Sequence, residues 1–376
     1  MSGTTATTPL DTTKVPVAPH IAAANDVSVK LTTTNDTLIQ ALFIFHYEGE
    51  EACVGMFPQY GGAVIIKKLV ERCKQSKTGL FALENNDAEM VGKELLKMSS
   101  LNLRRNQIVN VAPLAELATL INDYYKLNKV SYFKWLDLRG NRIVDVAPLA
   151  TLVSLTSLDL YENQIVDVAP LATLVNLTNL DLTGNGSQLR GNRIVDVAPL
   201  ATLINLTNLD LSGNQIVDVA PLATLVKLTN LDLNGNQIID VAPLAMLVNL
   251  RTLLLYGNQI VDVALLATLV NLKSLQLRGN QIVNVAPLVT LVKLLSLNLG
   301  VNQIVDVAPL AMLINLTSLD LERNQIVNVA PLATLVNLRT LNLGGNQIVD
   351  TTPLRSLPKE TRIDGVTVRG GCCTIV

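Results

Sequence analysis

The sequence predicts an α/β repeat solenoid, because one phrase of 22 residues recurs between about residue 101 and residue 354. Asparagines mark the period: Asn324 and Asn346 lie 22 residues apart, inside near-identical phrases such as Leu-Thr-Asn-Leu-Asp-Leu-Ser-Gly-Asn-Gln-Ile-Val-Asp-Val-Ala-Pro-Leu. A unit this short buries its apolar face only by stacking on its neighbours. The period therefore predicts a stacked array that offers a binding surface rather than a catalytic centre.

Each repeat is predicted to contribute one short strand. Around Leu209-Asp-Leu-Ser212, side chains alternate between the two sides of an extended chain. Leu209 and Leu211 therefore face the interior, whereas Asp210 and Ser212 face solvent.

The second half of the repeat is predicted to turn tightly on the back of the array. Gly213 permits the turn after the strand, and Asn214 is placed to aim its amide at backbone groups of the neighbouring coil, so that an internal asparagine ladder forms. Asp218 can accept from freed backbone amides, and Pro221 suits the start of a helical turn because it lacks an N–H. Only ten positions separate Pro221 from Leu231, which favours a 3₁₀ turn over a regular α-helix.

The composition excludes several classes of function. The net charge is −2 and the basic residues are scattered, so we expect no nucleic-acid partner. Two histidines, His20 and His46, cannot supply a histidine-based triad or a His/Cys metal cluster, so we predict a chain that is not an enzyme and holds no cofactor or metal. Polar residues interrupt every apolar stretch before the roughly 18 residues that a membrane-spanning helix needs.

The termini and the cysteines predict a cytoplasmic protein. The amino terminus has no apolar core that could act as a signal peptide, and Ser2 stands where myristoylation requires a glycine. The four cysteines are Cys53, Cys73, Cys372 and Cys373, a spread unlike a disulfide framework. They fit a reducing compartment.

Five segments are predicted along the chain. Residues 1–30 are rich in Thr, Pro and Ala and are predicted to be a disordered arm, because they offer little apolar surface for burial. Residues 31–100 carry strand-like and helix-like spacings and are predicted to form an amino-terminal α/β cap, followed by the repeat array at 101–354. Residues 355–371 are predicted to form a carboxy-terminal cap and tail, since polar residues replace apolar ones there. Residues 372–376 form a candidate lipidation motif.

Two insertions interrupt the period. The first adds 13 residues between Asn106 and Asn141, and the second adds 7 residues between Asn163 and Asn192. Insertions in a repeat array map to loops on one face, often the binding face. The glycine-rich second insertion is predicted to be a flexible loop, whereas the first leaves two interpretations open, packing over the cap or docking a partner. Its aromatic residues are Tyr124, Tyr125 and Tyr132.

The repeated phrase Leu-x-Leu-x-x-Asn-x-Ile-x-x-Val-x-Pro-Leu resembles the leucine-rich repeat family. Within that family it is similar to the 22-residue class found in bacterial internalins and in the phosphatase-1 regulatory subunit of eukaryotes. The resemblance implies a right-handed horseshoe, capped at both ends, with a parallel sheet on the concave face and protein ligands held there. The chain departs from internalins because it shows no signal peptide and no wall anchor.

The solvent-facing positions of the sheet are the candidate binding residues. The middle column contains a run of like charges, which favours either a basic partner or a harmless residue copied by duplication. It reads Asn102, Asp137, Asp159, Asp181, Asp210, Asp232, Leu254, Gln276, Asn298, Asp320 and Asn342. Aromatic and arginine side chains that depart from the repeat are the other candidates, since these types often anchor interfaces. The predicted binding set is Trp135, Asp137, Arg139, Asp159, Tyr161, Asp210, Asp232, Leu254, Tyr256, Arg278, Asp320 and Glu322.

The last residues have the form of a prenylation site. Cys373-Thr-Ile-Val376 matches the Cys-aliphatic-aliphatic-X pattern, although Val376 is not a usual final residue and Thr374 is a poor aliphatic. Cys372 is then the candidate second, palmitoylated anchor, because one lipid chain gives only reversible attachment. A free tail is the alternative.

Three functions are consistent with these features. The first is a monomeric, non-enzymatic cytoplasmic scaffold that binds an unknown protein on its concave face and is tethered to the inner face of a membrane through its tail. The second is a regulatory subunit of a protein phosphatase. The third is an internalin-like adhesin, which needs an export route that the sequence does not show.

Overall fold

The computed structural model describes residues 100–112, 114–115, 134–184 and 191–366. In these residues twelve short strands form one parallel sheet, in which strands that follow one another in the chain are paired. The strands are β1 (Ser100–Asn102), β2 (Trp135–Asp137), β3 (Ser157–Asp159), β4 (Asn179–Asp181), β5 (Asn208–Asp210), β6 (Asn230–Asp232), β7 (Thr252–Leu254), β8 (Ser274–Gln276), β9 (Ser296–Asn298), β10 (Ser318–Asp320), β11 (Thr340–Asn342) and β12 (Arg362–Asp364).

The strand register confirms the predicted alternation of side chains. Leu209 pairs with Leu180 on one side and Leu231 on the other, and all three are buried. Leu211, after the strand, is also buried, whereas Asp210 lies on the solvent-facing side. Stacking therefore gives one continuous leucine core along the array, as expected for a parallel sheet whose inner face is covered by its own return segments.

The predicted 3₁₀ turns are present on the back of the array. In the fourth turn the N–H of Ala220 donates to Asp218 Oδ1 at 2.8 Å, and Pro221 occupies the first turn, where its missing N–H costs nothing. Leu222 points inward and is buried. The ten turns span Ala147–Thr151, Ala169–Thr173, Ala198–Thr202, Ala220–Thr224, Ala242–Met246, Ala264–Thr268, Ala286–Thr290, Ala308–Met312, Ala330–Thr334 and Thr352–Ser356.

The predicted asparagine ladder is also confirmed. The amide of Asn236 donates to the carbonyl of Leu233 in its own coil at 3.1 Å and to that of Leu211 in the preceding coil at 3.0 Å. Its Oδ1 accepts from the N–H of Ile216 at 3.0 Å. One buried side chain thus satisfies backbone groups of two coils, and the same pattern holds at Asn141, Asn163, Asn192, Asn214, Asn258, Asn280, Asn302, Asn324 and Asn346.

The residue before each ladder asparagine turns the chain away from the sheet. Gly213 has φ +67°, so glycine serves there as predicted. Val301 holds the same position at φ 54° and Arg323 at φ 52°, a conformation that side chains with a Cβ adopt only at a cost. The ladder therefore imposes this turn even where the residue does not favour it.

The array has two sides, an exit flank and a return flank, which differ in the direction of the chain. Because the strands are parallel, the segments that leave their carboxyl ends lie on one side, the exit flank, and the segments that lead back from the 3₁₀ turns lie on the other, the return flank. Polar side chains also link coils on the return flank. Asn176 donates to the carbonyl of Val153 at 2.9 Å, and Asn205 donates to that of Val175 at 2.9 Å.

The sheet continues into the segment predicted as a carboxy-terminal cap. Strand β12 pairs with β11, and Ile363 takes the inward position that leucine holds in the other strands. Leu354 and Leu357 are buried before it. Residues 354–364 therefore complete a further coil, in which one isoleucine and two leucines extend the core.

The second insertion leaves the pairing unchanged, since Asn179 in β4 pairs with Asn208 in β5 in the common register. The amino-terminal arm, all of the predicted cap except Ser100, the aromatic residues of the first insertion and the cysteine tail lie outside the described residues. Within the described ranges, no helix is both long and apolar enough to span a membrane.

Replacing Asn236 with alanine should lower the free energy of unfolding by at least about 2 kcal/mol, because the buried N–H of Ile216 loses its acceptor and two carbonyls lose a donor. Urea denaturation of the full chain measures the loss. The control is Asn337→Ala, which removes one exposed hydrogen bond to the carbonyl of Ile314 and should cost about 1 kcal/mol or less. Equal losses in the two variants would contradict the role assigned to the ladder.

Candidate functional site

The concave face carries a row of carboxylates in register. Paired strands place Asp137, Asp159, Asp181, Asp210 and Asp232 side by side along β2 to β6, and we call these five residues the acidic row. Neighbouring strands lie about 4.8 Å apart. Leu254 follows Asp232 in β7 and ends the row with an apolar side chain.

A shallow depression of about 370 Å³ lies over this part of the sheet. Trp135 lines one end and Leu254 lines the other, so apolar side chains border the carboxylates at both ends. The acidic residues that line it are Asp159, Asp181, Asp210 and Asp232. Three of these and both apolar residues belong to the predicted binding set, and Asp181 belongs to the predicted column but not to that set.

Partial burial on a sheet of like charges shifts these carboxyl groups. Burial, followed by the charges of Asp181 and Asp137, raises the pKa of Asp159 to about 6. Burial also raises the pKa of Asp232 to about 6, with Asp210 and Asp181 adding to the shift. The pKa of Asp181 is raised too, mainly by burial. The charged forms of Asp159, Asp181 and Asp232 are therefore less favourable than in water, and a cation against them would stabilise them.

The aspartate and asparagine side chains of the middle column also close the turns after their strands. Asp210 Oδ1 accepts from the N–H of Ser212 at 2.9 Å, and Asp232 Oδ1 accepts from that of Asn234 at 2.9 Å. Asn298 makes the same bond to the N–H of Gly300 at 3.0 Å. An amide oxygen thus serves the fold as well as a carboxylate does.

The side chain of Leu254 cannot accept a hydrogen bond, and a side chain of the neighbouring coil supplies the missing acceptor. Asn234 Oδ1 accepts from the N–H of Tyr256 at 2.6 Å. The turn after β7 is therefore maintained while an apolar side chain enters the concave face.

Asp137 differs from its prediction as a solvent-facing residue, because its side chain is 0% exposed. Arg139 lies against it, with Nε 3.0 Å and Nη2 2.7 Å from Asp137 Oδ2. The same Nε lies 3.5 Å from Asp159 Oδ2. Arg139 thus neutralises the amino-terminal end of the acidic row, and the sequence could not reveal this burial because it depends on packing between coils.

Three predicted binding residues near the other end of the sheet pair with one another. Arg278 Nη1 lies 2.8 Å from Glu322 Oε2 and 3.4 Å from Asp320 Oδ2. The guanidinium passes over Gly300, where a Cβ would lie 2.6 Å from Nη1. The structure therefore brings Arg278, Asp320 and Glu322 together as one ion cluster, two coils away from the position where the sequence places Arg278.

The two tyrosines of the predicted set lie in different surroundings. The Tyr161 hydroxyl donates to Glu162 Oε1 at 2.9 Å, beside the acidic row. Tyr256 is 50% exposed and stands two residues after Leu254, outside the lining of the depression.

Sequence reasoning missed a row of amides beside the carboxylates. Asn208 donates its side-chain amide to Asn179 Oδ1, and Asn230 donates to Asn208 Oδ1. All three line the depression. The available signal was an asparagine directly before the first strand leucine in three successive coils.

The predicted lipidation residues, Cys372 and Cys373, lie outside the described part of the chain. In the described part, no group of three or more His, Cys, Asp or Glu residues is arranged to hold a metal ion.

Asp232→Asn should stabilise the fold near neutral pH. The folded chain raises the pKa of Asp232 from 3.8 to about 6, so this carboxyl favours folding below pH 3.8 and loses that contribution as the pH rises through about 6. The amide keeps the acceptor for Asn234 and removes the charge, so the gain near pH 7 should be on the order of 1 kcal/mol after solvent screening, and should shrink towards pH 3.8. Urea denaturation across that range measures it.

The control is Asp218→Asn on the exit flank, where the side chain is exposed and its bond to Ala220 is preserved. A gain for Asp232→Asn that does not change with pH would contradict the electrostatic cause.

A family model described as leucine-rich repeats in two copies matches residues 134–173, 153–201, 204–246, 248–290 and 314–356, which together make up more than half of the chain. No curated protein sequence matches the chain significantly.

Solved structures with the same architecture come from bacteria and plants. An internalin (inlF) from Listeria monocytogenes is 27% identical, with a TM-score of 0.58 over 81% of this chain and 95% of that chain. The functional domain of InlJ from the same organism is 22% identical, with a TM-score of 0.56 over 72% of this chain and 54% of that chain. The Arabidopsis receptor kinase HAESA, in complex with the peptide hormone IDA and the co-receptor SERK1, is 19% identical, with a TM-score of 0.50 over 78% and 41% of the two chains. Together with the family match and the ladder geometry, these similarities establish that the chain belongs to the leucine-rich repeat family.

Proposed function

We propose that this leucine-rich repeat chain is a non-enzymatic scaffold that binds a basic segment of a partner protein on its concave face. The observation that carries the proposal is the depression over β2 to β7, in which four carboxylates lie in a row between Trp135 and Leu254. Arginine or lysine side chains would contact the carboxylates, and apolar side chains would contact the two ends.

The charge of the acidic row exceeds what the fold requires. Asn298 and Asn342 close the same turn as Asp210, with Oδ1 to N–H distances of 3.0, 3.1 and 2.9 Å respectively. Asparagine would therefore preserve the turn without placing a charge at a partly buried position, where burial, followed by the charges of neighbouring aspartates, raises the pKa of Asp159 and Asp232. A bound cation would stabilise the charged form of these carboxylates. Binding a cationic partner is therefore a role for them that the needs of the scaffold do not explain.

The dimensions of the depression suit a short extended peptide. Six strands at about 4.8 Å spacing span roughly 24 Å. At about 3.3 Å per residue, an extended chain of roughly seven residues covers that length. The peptide hormone in the HAESA complex is a ligand of this chemical kind on a related fold.

A triple variant of the concave face removes charge by combining Asp181→Asn, Asp210→Asn and Asp232→Asn. It should bind a fluorescent heptapeptide of alternating Arg and Leu at least about tenfold more weakly than the unchanged chain, because three carboxylates are lost and their turn bonds are kept. Fluorescence anisotropy near pH 7.5 measures the affinity. Binding by the unchanged chain should also weaken as the pH falls through about 6, where Asp159 and Asp232 take up protons.

The matched control removes three exposed carboxylates from the exit flank, through Asp196→Asn, Asp218→Asn and Asp240→Asn. It should bind the peptide as the unchanged chain does. Affinity capture with the three proteins extends the test to natural partners. Identical affinities and identical captured partners for the two triple variants would refute concave-face binding.

An internalin-like role is the second candidate. The similarity to an internalin over 95% of that protein's length favours it, whereas no structural similarity reported above favours a phosphatase regulatory subunit. Both roles use the same concave face, so the peptide-binding result bears on the scaffold and on the internalin-like alternative together.

Membrane tethering is proposed for the carboxyl terminus on the basis of its sequence, Cys372-Cys373-Thr-Ile-Val376. Cys373→Ser should move the protein from the membrane fraction to the supernatant of lysed eukaryotic cells, because the acceptor thiol for the prenyl group is lost. Fractionation and mass spectrometry of the terminal peptide measure the change. The control, Thr374→Ala, keeps the thiol and should leave the distribution unchanged; equal distributions for Cys373→Ser and the unchanged chain would exclude the anchor.

A further inference from the structure

Each flank of the array carries a continuous ridge of exposed aliphatic side chains. On the exit flank one valine or isoleucine per coil stands three residues after the ladder asparagine, and nine of these ten side chains are 45–55% exposed. They are Val144, Val166, Val195, Val217, Ile239, Val261, Val283, Val305, Val327 and Val349. On the return flank the exposed residues are Val175, Ile204, Val226, Val248, Val270, Val292, Ile314 and Val336. Monomers rarely expose apolar rows this long unless they form a contact surface.

The ridge on the exit flank lies beside a row of carboxylates. One acceptor oxygen of each caps the following 3₁₀ turn, as Asp240 does for the N–H of Ala242 at 2.8 Å, and the side chains remain exposed. The row comprises Asp145, Asp167, Asp196, Asp218, Asp240, Asp262, Asp306 and Asp350. In the described exit segments the exposed basic residues are Arg105, Arg142, Arg193 and Arg323, which the eight aspartates outnumber, so the flank is acidic overall.

The ridge on the return flank lies beside basic residues. These are Lys134, Lys227, Arg251, Lys273, Lys293, Arg339 and Lys359, and Glu360 is the acidic residue that the described return segments contain. Lys227 Nζ donates to a neutral group of the preceding coil, Asn205 Oδ1, at 2.7 Å, and Lys293 Nζ donates to Asn271 Oδ1 at 2.7 Å. Within the described ranges, none of these seven cations forms an ion pair with a carboxylate.

The opposite charges occur in the same coils. Between β5 and β6 the chain carries Asp218 on the exit flank and Lys227 on the return flank. The next two coils repeat the arrangement with Asp240 and Arg251, and with Asp262 and Lys273. A copy displaced sideways, without rotation, would therefore bring three acidic and three basic residues together in register, with an aliphatic ridge beside each row.

We infer that copies of this chain stack flank to flank, the exit flank of one copy against the return flank of the next. The two ridges share the period of the coils, so apolar contacts match along the array, and charge pairs match in the three coils between β5 and β8. The contact is heterologous, because two different surfaces meet, and so it continues as an open stack instead of closing at two copies. The concave faces remain uncovered and lie in line, so a stack would display many copies of the candidate binding site.

The complementary charge favours a second copy over other occupants. A basic partner would fit the exit flank alone, and an acidic partner would fit the return flank alone, whereas a copy of this chain fits both. This inference replaces the monomer predicted from the sequence. The separation of the two charges onto opposite flanks becomes evident only when the coils are stacked.

Sedimentation velocity of the full chain tests the stack. The unchanged chain should show a weight-average mass that rises with concentration beyond a dimer at about 0.05 M salt, and that falls at about 0.5 M salt, where charges separated by more than a few ångströms are screened. Two variants separate the flanks. The first replaces Lys227, Arg251 and Lys273 with Glu, and the second replaces Asp218, Asp240 and Asp262 with Lys.

Each variant alone should associate at least about tenfold more weakly, because both of its flanks then carry the same charge. An equimolar mixture should recover association, since the acidic return flank of the first variant meets the basic exit flank of the second. Recovery in the mixture also excludes misfolding of either variant as the cause. The inference would be overturned if the unchanged chain stayed monomeric at low salt or if its mass stopped at that of a dimer. It would also be overturned if the mixture of variants did not recover association.

Discussion

The buried asparagine at the corner of each coil is the constraint on which the rest of the structure depends. Its amide reaches carbonyls of two coils and its oxygen accepts a backbone N–H of the preceding coil, as Asn236 does for Leu211, Leu233 and Ile216. These bonds set the distance and the register between coils, because a shifted coil would leave buried polar groups without partners. The turn before the asparagine is accordingly held at positive φ even at Val301.

Because the register between coils is fixed, a residue that recurs in every coil forms a continuous row on the surface of the array. On the concave side the fold requires only an oxygen that closes the turn, which Asn298 and Asp210 both supply. The fold therefore does not decide between an amide and a carboxylate at this position. Five neighbouring coils carry the carboxylate. The electrostatic cost appears in the raised pKa values of Asp159 and Asp232, and the benefit is a surface suited to cations.

The same register acts on the flanks. A valine or isoleucine copied once per coil becomes a ridge, and a charge copied beside it becomes a row. Because the chain runs in one direction around every coil, residues a few positions apart in the repeat, such as Asp218 and Lys227, lie on opposite sides of the array. The periodicity that stabilises the solenoid thus also gives it two long surfaces of opposite charge.

The sequence by itself determined the features that arise within one repeat: the inward leucines, the asparagine ladder, and the 3₁₀ turn begun by Asp218 and Pro221. Their causes are local periodicity and backbone chemistry, which recur in every coil. Only the tertiary structure decided the contacts between departures from the repeat. Arg139 covers Asp137, Arg278 reaches Glu322 across two coils, and Asn234 replaces the acceptor that Leu254 lacks. Such contacts depend on which unlike residues become neighbours when coils stack, and a repeated phrase carries no information about its exceptions.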